Sequence, residues 1–267
     1  MDESITLIFE QPFKANDLAA ILPLSAKNSP LAPKKTILRQ GSNFAAPLPV
    51  GTNFSLREPN KKAILQVIGN FTLPCESTHA VEGYFVKMVT DFQVSTTQFS
   101  LEKDGYSLAW LTLSDRGACG LREDLSGPTI QKVIGETIKI TYAQGLIIPD
   151  DPLELKAKLT TLALRDQYDL IITTGGTGLT SRDITPETTA QVLDYTLPGF
   201  MQAMMAASLN KTPTAILSRA LAGVLHRSLI LNLPGSVKAV TENLAAVLPA
   251  LPHALAKLHD DPRPCGG

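Results

Sequence analysis

Glycines at 175, 176 and 178 lie in Thr173-Thr174-Gly175-Gly176-Thr177-Gly178, after the apolar run Leu170-Ile171-Ile172 and before Arg182-Asp183-Ile184-Thr185-Pro186-Glu187. A strand that opens into glycines and then into a helix presents backbone N–H groups to an anion. Glycine permits positive φ and close backbone approach. Thr185-Pro186-Glu187 supplies an N-cap, a proline at the first helical position and an acid in the first turn. No Gly-Lys-Ser/Thr follows, which excludes a Walker loop, and the Gly-x-Gly-x-x-Gly spacing of a dinucleotide fold is absent. A different phosphate or nucleotide site is expected.

Three further loops follow strand-like runs: Ser114-Asp115-Arg116 after Ser107–Leu113, Pro149-Asp150-Asp151 after Gly145–Ile148, and the segment that ends Ser228–Leu233 in Pro234-Gly235-Ser236. Alternation of strands and helices from Tyr106 onward predicts an α/β fold, a mostly parallel sheet with helices on both faces, with ligands beyond the C-terminal ends of the strands. Asp150 and Asp183 then offer hard carboxylate oxygens suited to Mg²⁺, which binds through one or two acids, waters and a phosphate. Each is equally a helix-terminus acid. Asp151, with Pro152 behind it and Glu154 three residues on, is the stronger pure cap. Arg116, Arg182 and Lys238 are either phosphate neighbours or ordinary solvated side chains.

These elements occupy the second part of a 267-residue chain whose first part reads differently. Up to about residue 104, prolines punctuate short apolar segments such as Ala63–Ile68 and Tyr84–Val89, which predicts a smaller β-rich module over 1–104 and an α/β domain over 105–267. Phe92–Phe99, rich in strand formers but polar, reads as an edge strand or as the connection between the two. Hydrophobic residues at 44% supply a substantial core. The balance of 24 basic against 25 acidic residues argues against nucleic acid or an anionic membrane as the main partner. Cys75, Cys119 and Cys265 form no metal-ligand or disulfide pattern, and His79, His226, His253 and His259 are scattered. Met1-Asp2-Glu3-Ser4 opens without a basic region and no apolar run is long enough to span a bilayer, so a soluble, cytoplasmic protein is expected.

The second part resembles the molybdopterin-binding superfamily, and within it the molybdopterin adenylyltransferase branch, to which the gephyrin G domain is similar. The resemblance runs over about residues 107–250 and rests on Ser114-Asp115-Arg116, Asp124–Pro128, Ile148-Pro149-Asp150, the Thr-Thr-Gly-Gly-Thr-Gly motif with Arg182–Glu187, Leu197–Phe200, Pro213–Arg219 and Asn232–Gly235, in the family's order. It implies transfer of AMP from ATP to the phosphate of molybdopterin, with Mg²⁺, in molybdenum cofactor biosynthesis. By the same resemblance Asp150 and Asp183 are the catalytic, metal-binding acids. Ser114, Asp115, Thr174, Gly175, Gly176, Thr177, Gly178, Ser218, Gly235 and Ser236 are implied to line the pocket. It further implies a homotrimer or higher homo-oligomer and an association with a molybdenum insertase. A non-catalytic molybdopterin-binding or scaffold protein is the rival reading, which both acids weigh against. A molybdate-inserting enzyme would need long additional domains. In the first part, Leu48–Thr52, Cys75 after Pro74, and Gly83–Val86 resemble pieces of a degenerate MOSC module, with Cys75 either a reactive thiol or an inert one.

Overall fold

The computed structural model describes residues 4–26, 29, 31–40, 47–56, 62–73 and 80–262. It divides into two compact units, Met1–Asp104 and Gly105–Gly267. Cys75, His79 and Cys265, and with Cys75 part of the MOSC-like pattern, lie outside the described residues.

The first unit has seven strands: β1 (Ser4–Phe9), β2 (Leu18–Pro23), β3 (Thr36–Gln40), β4 (Asn53–Leu56), β5 (Ala63–Leu73), β6 (Val81–Met88) and β7 (Ser95–Glu102). They close into a barrel in the order β1-β3-β2-β6-β5-β4-β7, with β7 returning to β1 from Ser4↔Ser100 to Phe9↔Ser95. β2 and β3 run parallel, whereas the other neighbours are antiparallel. Alternation sets the lumen. In β6, Tyr84, Val86 and Met88 are buried while Phe85 and Lys87 face out. With Phe9, Phe13, Phe54, Leu65 and Phe99 they fill the barrel. β7 is therefore neither an edge nor a connector, because it is bonded on one side to β1 and on the other to β4. Closure removes the exposed edge that its polar, strand-forming sequence suggested.

The second unit is built from β8 (Tyr106–Leu113), α1 (Asp115–Ala118), α2 (Ser126–Gly135), β9 (Ile140–Ile148), α3 (Pro152–Thr160) and β10 (Leu170–Thr174). α4 (Thr185–Ala190), β11 (Tyr195–Thr196), α5 (Pro198–Leu209), β12 (Ala222–Leu225), β13 (Ser228–Leu233), α6 (Val237–Val247) and α7 (Leu251–Leu258) complete it. The sheet order is β11-β12-β13-β10-β8-β9. β9, β8, β10 and β13 are mutually parallel, but β12 runs antiparallel to β13 and β11 antiparallel to β12.

The expected mostly parallel sheet with helices on both faces is thus not what the chain forms. It forms a closed mixed barrel followed by a mixed sheet. The reason is a hairpin hidden in weak strand sequence. Ala222-Gly223-Val224-Leu225 turns back through His226-Arg227 so that Leu225 faces Ser228. His226 takes a left-handed φ of 55° and its N–H donates to Asp194 Oδ2 at 2.6 Å. A histidine in that conformation carries none of the Asn-Gly signal by which tight hairpins are read.

The parallel centre is legible by burial. Every residue of β10 and of β13 is buried, as strands flanked on both sides and covered on their faces must be. Ile130 and Ile134 of α2, Val240 and Leu244 of α6 and Leu251 and Leu255 of α7 pack with Leu108, Ile172 and Leu231 of the sheet. Trp110 of β8 is 9% exposed and fits because glycines flank it: a Cβ on Gly145 of β9 would lie 2.2 Å from the indole, and one on Gly127 of α2 2.1 Å from Nε1. Among the described residues no helix is long and apolar enough to cross a membrane. The packing around Trp110 yields a test, since Gly145→Ala forces the indole or β9 to move. It is expected to cost about 1–3 kcal/mol, the usual range for an overpacked core. The measurement is chemical denaturation followed by Trp110 emission, the single tryptophan of the chain. Unchanged stability would show that the indole has room to yield.

Candidate active site

Beyond the C-terminal ends of β8, β9, β10 and β13 lies a cleft of about 480 Å³. Each strand delivers one wall: Ser114 after β8, Asp150 after β9, Thr174-Gly175-Gly176 after β10, and Gly235-Ser236 after β13. Asp183 and Arg182 line it from the segment before α4, and Glu123, Asp124 and Ser126 from the start of α2.

The glycine loop is held by its carbonyls. Gly175 O accepts from Thr185 Oγ1 at 2.9 Å and Gly176 O from Thr185 N at 3.1 Å. Thr177 O accepts from Arg219 N at 3.0 Å and Gly178 O from Arg219 Nε at 2.7 Å. Four successive acceptors are thus engaged by the protein, and the Gly175 N–H is stitched to Leu233 O at 3.1 Å. Gly175 and Gly176 sit at φ 100° and 64°, where L side chains are strained. Space forbids side chains there as well, since a Cβ on Gly175 would approach Leu113 O to 2.7 Å and one on Gly176 would approach Thr185 Oγ1 to 2.4 Å. Thr185 is therefore not the helix cap its sequence suggests. Its hydroxyl turns back to the loop, and it is fully buried.

The neighbouring loops are tied in the same manner. Thr174 Oγ1 donates to Pro234 O at 2.8 Å, and Ser126 Oγ to Gly235 O at 2.9 Å. Asp124 accepts from the N–H groups of Ser126 and Gly127 with Oδ1 and from Thr112 Oγ1 with Oδ2, so it starts α2 and fixes that helix to β8. Ser114 and Ser236 are helix caps: their hydroxyl oxygens accept from Gly117 N at 3.1 Å and Ala239 N at 3.2 Å. Asp151 caps α3 by accepting from Glu154 N at 2.8 Å, which leaves its neighbour Asp150 turned to the cleft.

The two acids of the cleft differ electrostatically. Burial pushes the Asp150 carboxyl above its ordinary value, and the negative charges of Asp115 and Asp183 add to the shift. Asp150 N donates to Asp115 Oδ1 at 3.0 Å, which holds these two loops together. Asp183 is held below the ordinary value, chiefly by the Thr180 hydroxyl, with further N–H donors from Thr180 and Gly178 and the charge of Arg219. Its Oδ2 accepts from Thr180 Oγ1 at 2.6 Å and from Thr180 N at 2.8 Å. Arg182 reaches Asp115 at 3.3 Å, but its side chain is 78% exposed and the pair contributes little.

Of the residues singled out in the sequence, Ser114, Asp150, Thr174, Gly175, Gly176, Asp183, Gly235 and Ser236 line the cleft. Asp115 abuts it through Asp150, and Thr177 and Gly178 continue the loop. Ser218 is placed elsewhere, in a second recess of about 410 Å³ beside Met201, Met205 and Asn243. Sequence reasoning passed over Asp124 and Arg219, both inside motifs it had quoted. Asp124 was marked by its place just before a helix start, whereas nothing local to Arg219 reveals that its side chain folds back on the distant carbonyls of Gly178 and Asp183.

The chain that carries this carbonyl-anchored glycine loop and these two acids is similar to known proteins. A family model described as a probable molybdopterin binding domain matches residues 109–253, and the chain belongs to that family. The chain is similar to the molybdopterin adenylyltransferase of Helicobacter pylori strain J99, 46% identical over 147 residues that cover 54% of this chain and 83% of the relative. It is also similar to gephyrin of Dictyostelium discoideum, 36% identical over 195 residues, 70% of this chain but 27% of gephyrin. Among solved structures, the molybdopterin biosynthesis enzyme MoaB of Thermus thermophilus superposes with a TM-score of 0.54 at 44% identity, covering 60% of this chain and 98% of that one.

The raised Asp150 carboxyl has a consequence for stability. The folded protein keeps the proton to a higher pH than the unfolded chain does, so folding stability falls as pH rises from the unfolded carboxylate range through the folded value. Asp150→Asn removes that loss. Without divalent cations, the variant is expected to melt at or above the wild-type temperature at about pH 7, with the advantage vanishing near pH 3 to 4. Calorimetry across this range checks it, and a variant clearly less stable at neutral pH would contradict the assignment.

Proposed function

We propose that this chain transfers AMP from ATP to the phosphate of molybdopterin in molybdenum cofactor biosynthesis, using the cleft of its second unit. That the chain is an adenylyltransferase rests on its likeness to several proteins of that name at 36–46% identity, four-fifths of whose length it spans in the Helicobacter case. The observation that carries the reading is the pairing of the anchored glycine loop with Asp150 and Asp183 across one cleft. An oxygen of the molybdopterin phosphate attacks the α-phosphorus of ATP, the new P–O bond forms, the bond to the bridging oxygen breaks, and pyrophosphate leaves. The nucleophile is the substrate's own phosphate, so the protein's task is alignment and stabilisation of negative charge.

The donor set fits Mg²⁺. Asp150 is partly desolvated and stands among like charges, and a divalent cation relieves both conditions. Asp150 and Asp183 would hold it, Asp183 with the oxygen not committed to Thr180. Bound there, Mg²⁺ supplies charge neutralisation at the triphosphate. The N-capped starts of α1 and α6, at Ser114 and Ser236, border the same cleft. Thr174, Gly175, Gly176 and Gly235 line its floor, and Thr177 and Gly178 continue the loop behind it.

α5 is apolar nearly all round. Phe200, Met201 and Met205 remain half-exposed and Met204 alone is buried, a surface suited to a second copy of the chain in a homotrimer or higher closed assembly. Residues 105–267 suffice for AMP transfer in this reading, and the barrel, with its MOSC-like sequence, serves another step, such as exchange with a molybdenum insertase. The cytoplasm is the compartment proposed.

Asp150→Asn and Asp183→Asn preserve size and cost a charge. Each is expected to lower formation of adenylylated molybdopterin by roughly a hundredfold or more at saturating ATP and Mg²⁺, with the fold intact. Mass-spectrometric product analysis decides the matter, and near-normal turnover by both variants would favour a binding or scaffold protein instead. A fragment of residues 105–267 is expected to keep turnover within about threefold of the whole chain and to sediment as a trimer or larger. An inactive but folded fragment, or a monomer, would contradict that division of labour.

A further inference from the structure

Arg219 lies outside the cleft lining, between the 3₁₀ turn Pro213–Leu217 and β12, yet its bonds converge on the glycine loop and the segment that follows it. Its N–H donates to Thr177 O and its Nε to Gly178 O, at 3.0 and 2.7 Å. The remaining guanidinium nitrogens reach the Asp183 carbonyl and the Glu187 carboxylate. One planar fork therefore holds the exit of the glycine loop, the peptide of Asp183 and the first turn of α4. The intervening tip is exposed, with Leu179 at 65%. Its own bonds, Asp183 N to Thr180 O and Thr180 N to Asp183 Oδ2, close the tip on itself and would move with it. Arg219 ties the tip to the sheet, because the chain two residues on is fixed to β13 by Asn232 N donating to Leu221 O at 2.7 Å.

We propose that Arg219 is a positioning residue for AMP transfer: through the carbonyls of Gly178 and Asp183 it sets the shape in which the glycine loop and Asp183 face the cleft. This rests on the reading of the cleft as an adenylyltransferase site. A purely structural role would reside in the ion pair with Glu187 that steadies α4. The positioning role resides in the two carbonyl contacts, which need a fork and which the single ammonium of lysine cannot reproduce. The antiparallel hairpin of the mixed sheet thus has a function, since it carries Arg219 to the back of the loop.

The test uses the full chain as wild type, Arg219→Ala, Arg219→Lys and Glu187→Gln. Amide hydrogen exchange followed by mass spectrometry reads the order of the loop independently of turnover. Steady-state assays with molybdopterin, ATP and Mg²⁺ read kcat and KM. In Arg219→Ala, exchange across 177–184 is expected to quicken by about tenfold or more while β10 and β13 keep their protection. kcat should fall about tenfold or more with KM for ATP changing less. Arg219→Lys should recover little of this, added guanidinium ion should restore part of the turnover of Arg219→Ala, and Glu187→Gln should stay within about threefold of wild type. Unchanged exchange in Arg219→Ala, wild-type kcat in that variant, or a loss in Glu187→Gln as large as in Arg219→Ala would each overturn the proposal. If the wild type makes no adenylylated molybdopterin although exchange quickens in Arg219→Ala, the functional reading falls and the clamp on the loop stands.

Discussion

The cleft depends on how closely three stretches of backbone approach one another at Gly175. A side chain there would press on the Leu113 carbonyl at the end of β8, and one on Gly235 would come within 3.3 Å of the Gly175 Cα. The loops after β8, β10 and β13 can share one floor because two of them lack side chains at the point of contact. The positive φ at Gly175 and Gly176 turns the chain away from β10 before it would collide with Leu113, and the Gly175 N–H finds Leu233 O as its partner. The acceptors of residues 175–178 are claimed by Thr185 and Arg219, so each of the loop's four carbonyls is tied to the protein. Rigidity of that kind is what a site needs when its work is to align phosphates.

Charge is distributed over this floor unevenly. Asp183 sits in a ring of donors that favours its ionised form, whereas Asp150 faces burial and two like charges that disfavour it. The first is a carboxylate whether or not a ligand is present. The second gains from any cation that enters. Such a split is common where a protein accepts local instability for the sake of function. The surrounding framework supplies what compensates for it: fully buried β10 and β13, and the packing of α2, α6 and α7 against them.

What the amino-acid sequence by itself determined is local. Asp151-Pro152 starts a helix because an Asx oxygen and a fixed proline φ act within one turn, and the structure has that cap. β10 and β13 announce themselves as apolar runs, and the glycines after β10 as a turn that only glycine can make. The family resemblance added the companions of that turn in order, and residues 109–253 match the family model. Tertiary structure decided everything that required a partner distant in the chain. Ala222–Leu225 is too short and too small to read as a strand, yet pairing with β13 makes it one and makes the sheet mixed. Ser95–Glu102 reads as an edge until β1 closes on it. Thr185 reads as a cap until the Gly175 carbonyl, ten residues back, claims its hydroxyl, and Arg219 gives no sign of the carbonyls 36 and 41 residues away that it holds. Ser218, placed by resemblance in the cleft, lines another recess. Propensities and caps act over a few residues and are written in the order of the chain. A hydrogen bond between segments tens of residues apart exists only once packing has brought them together.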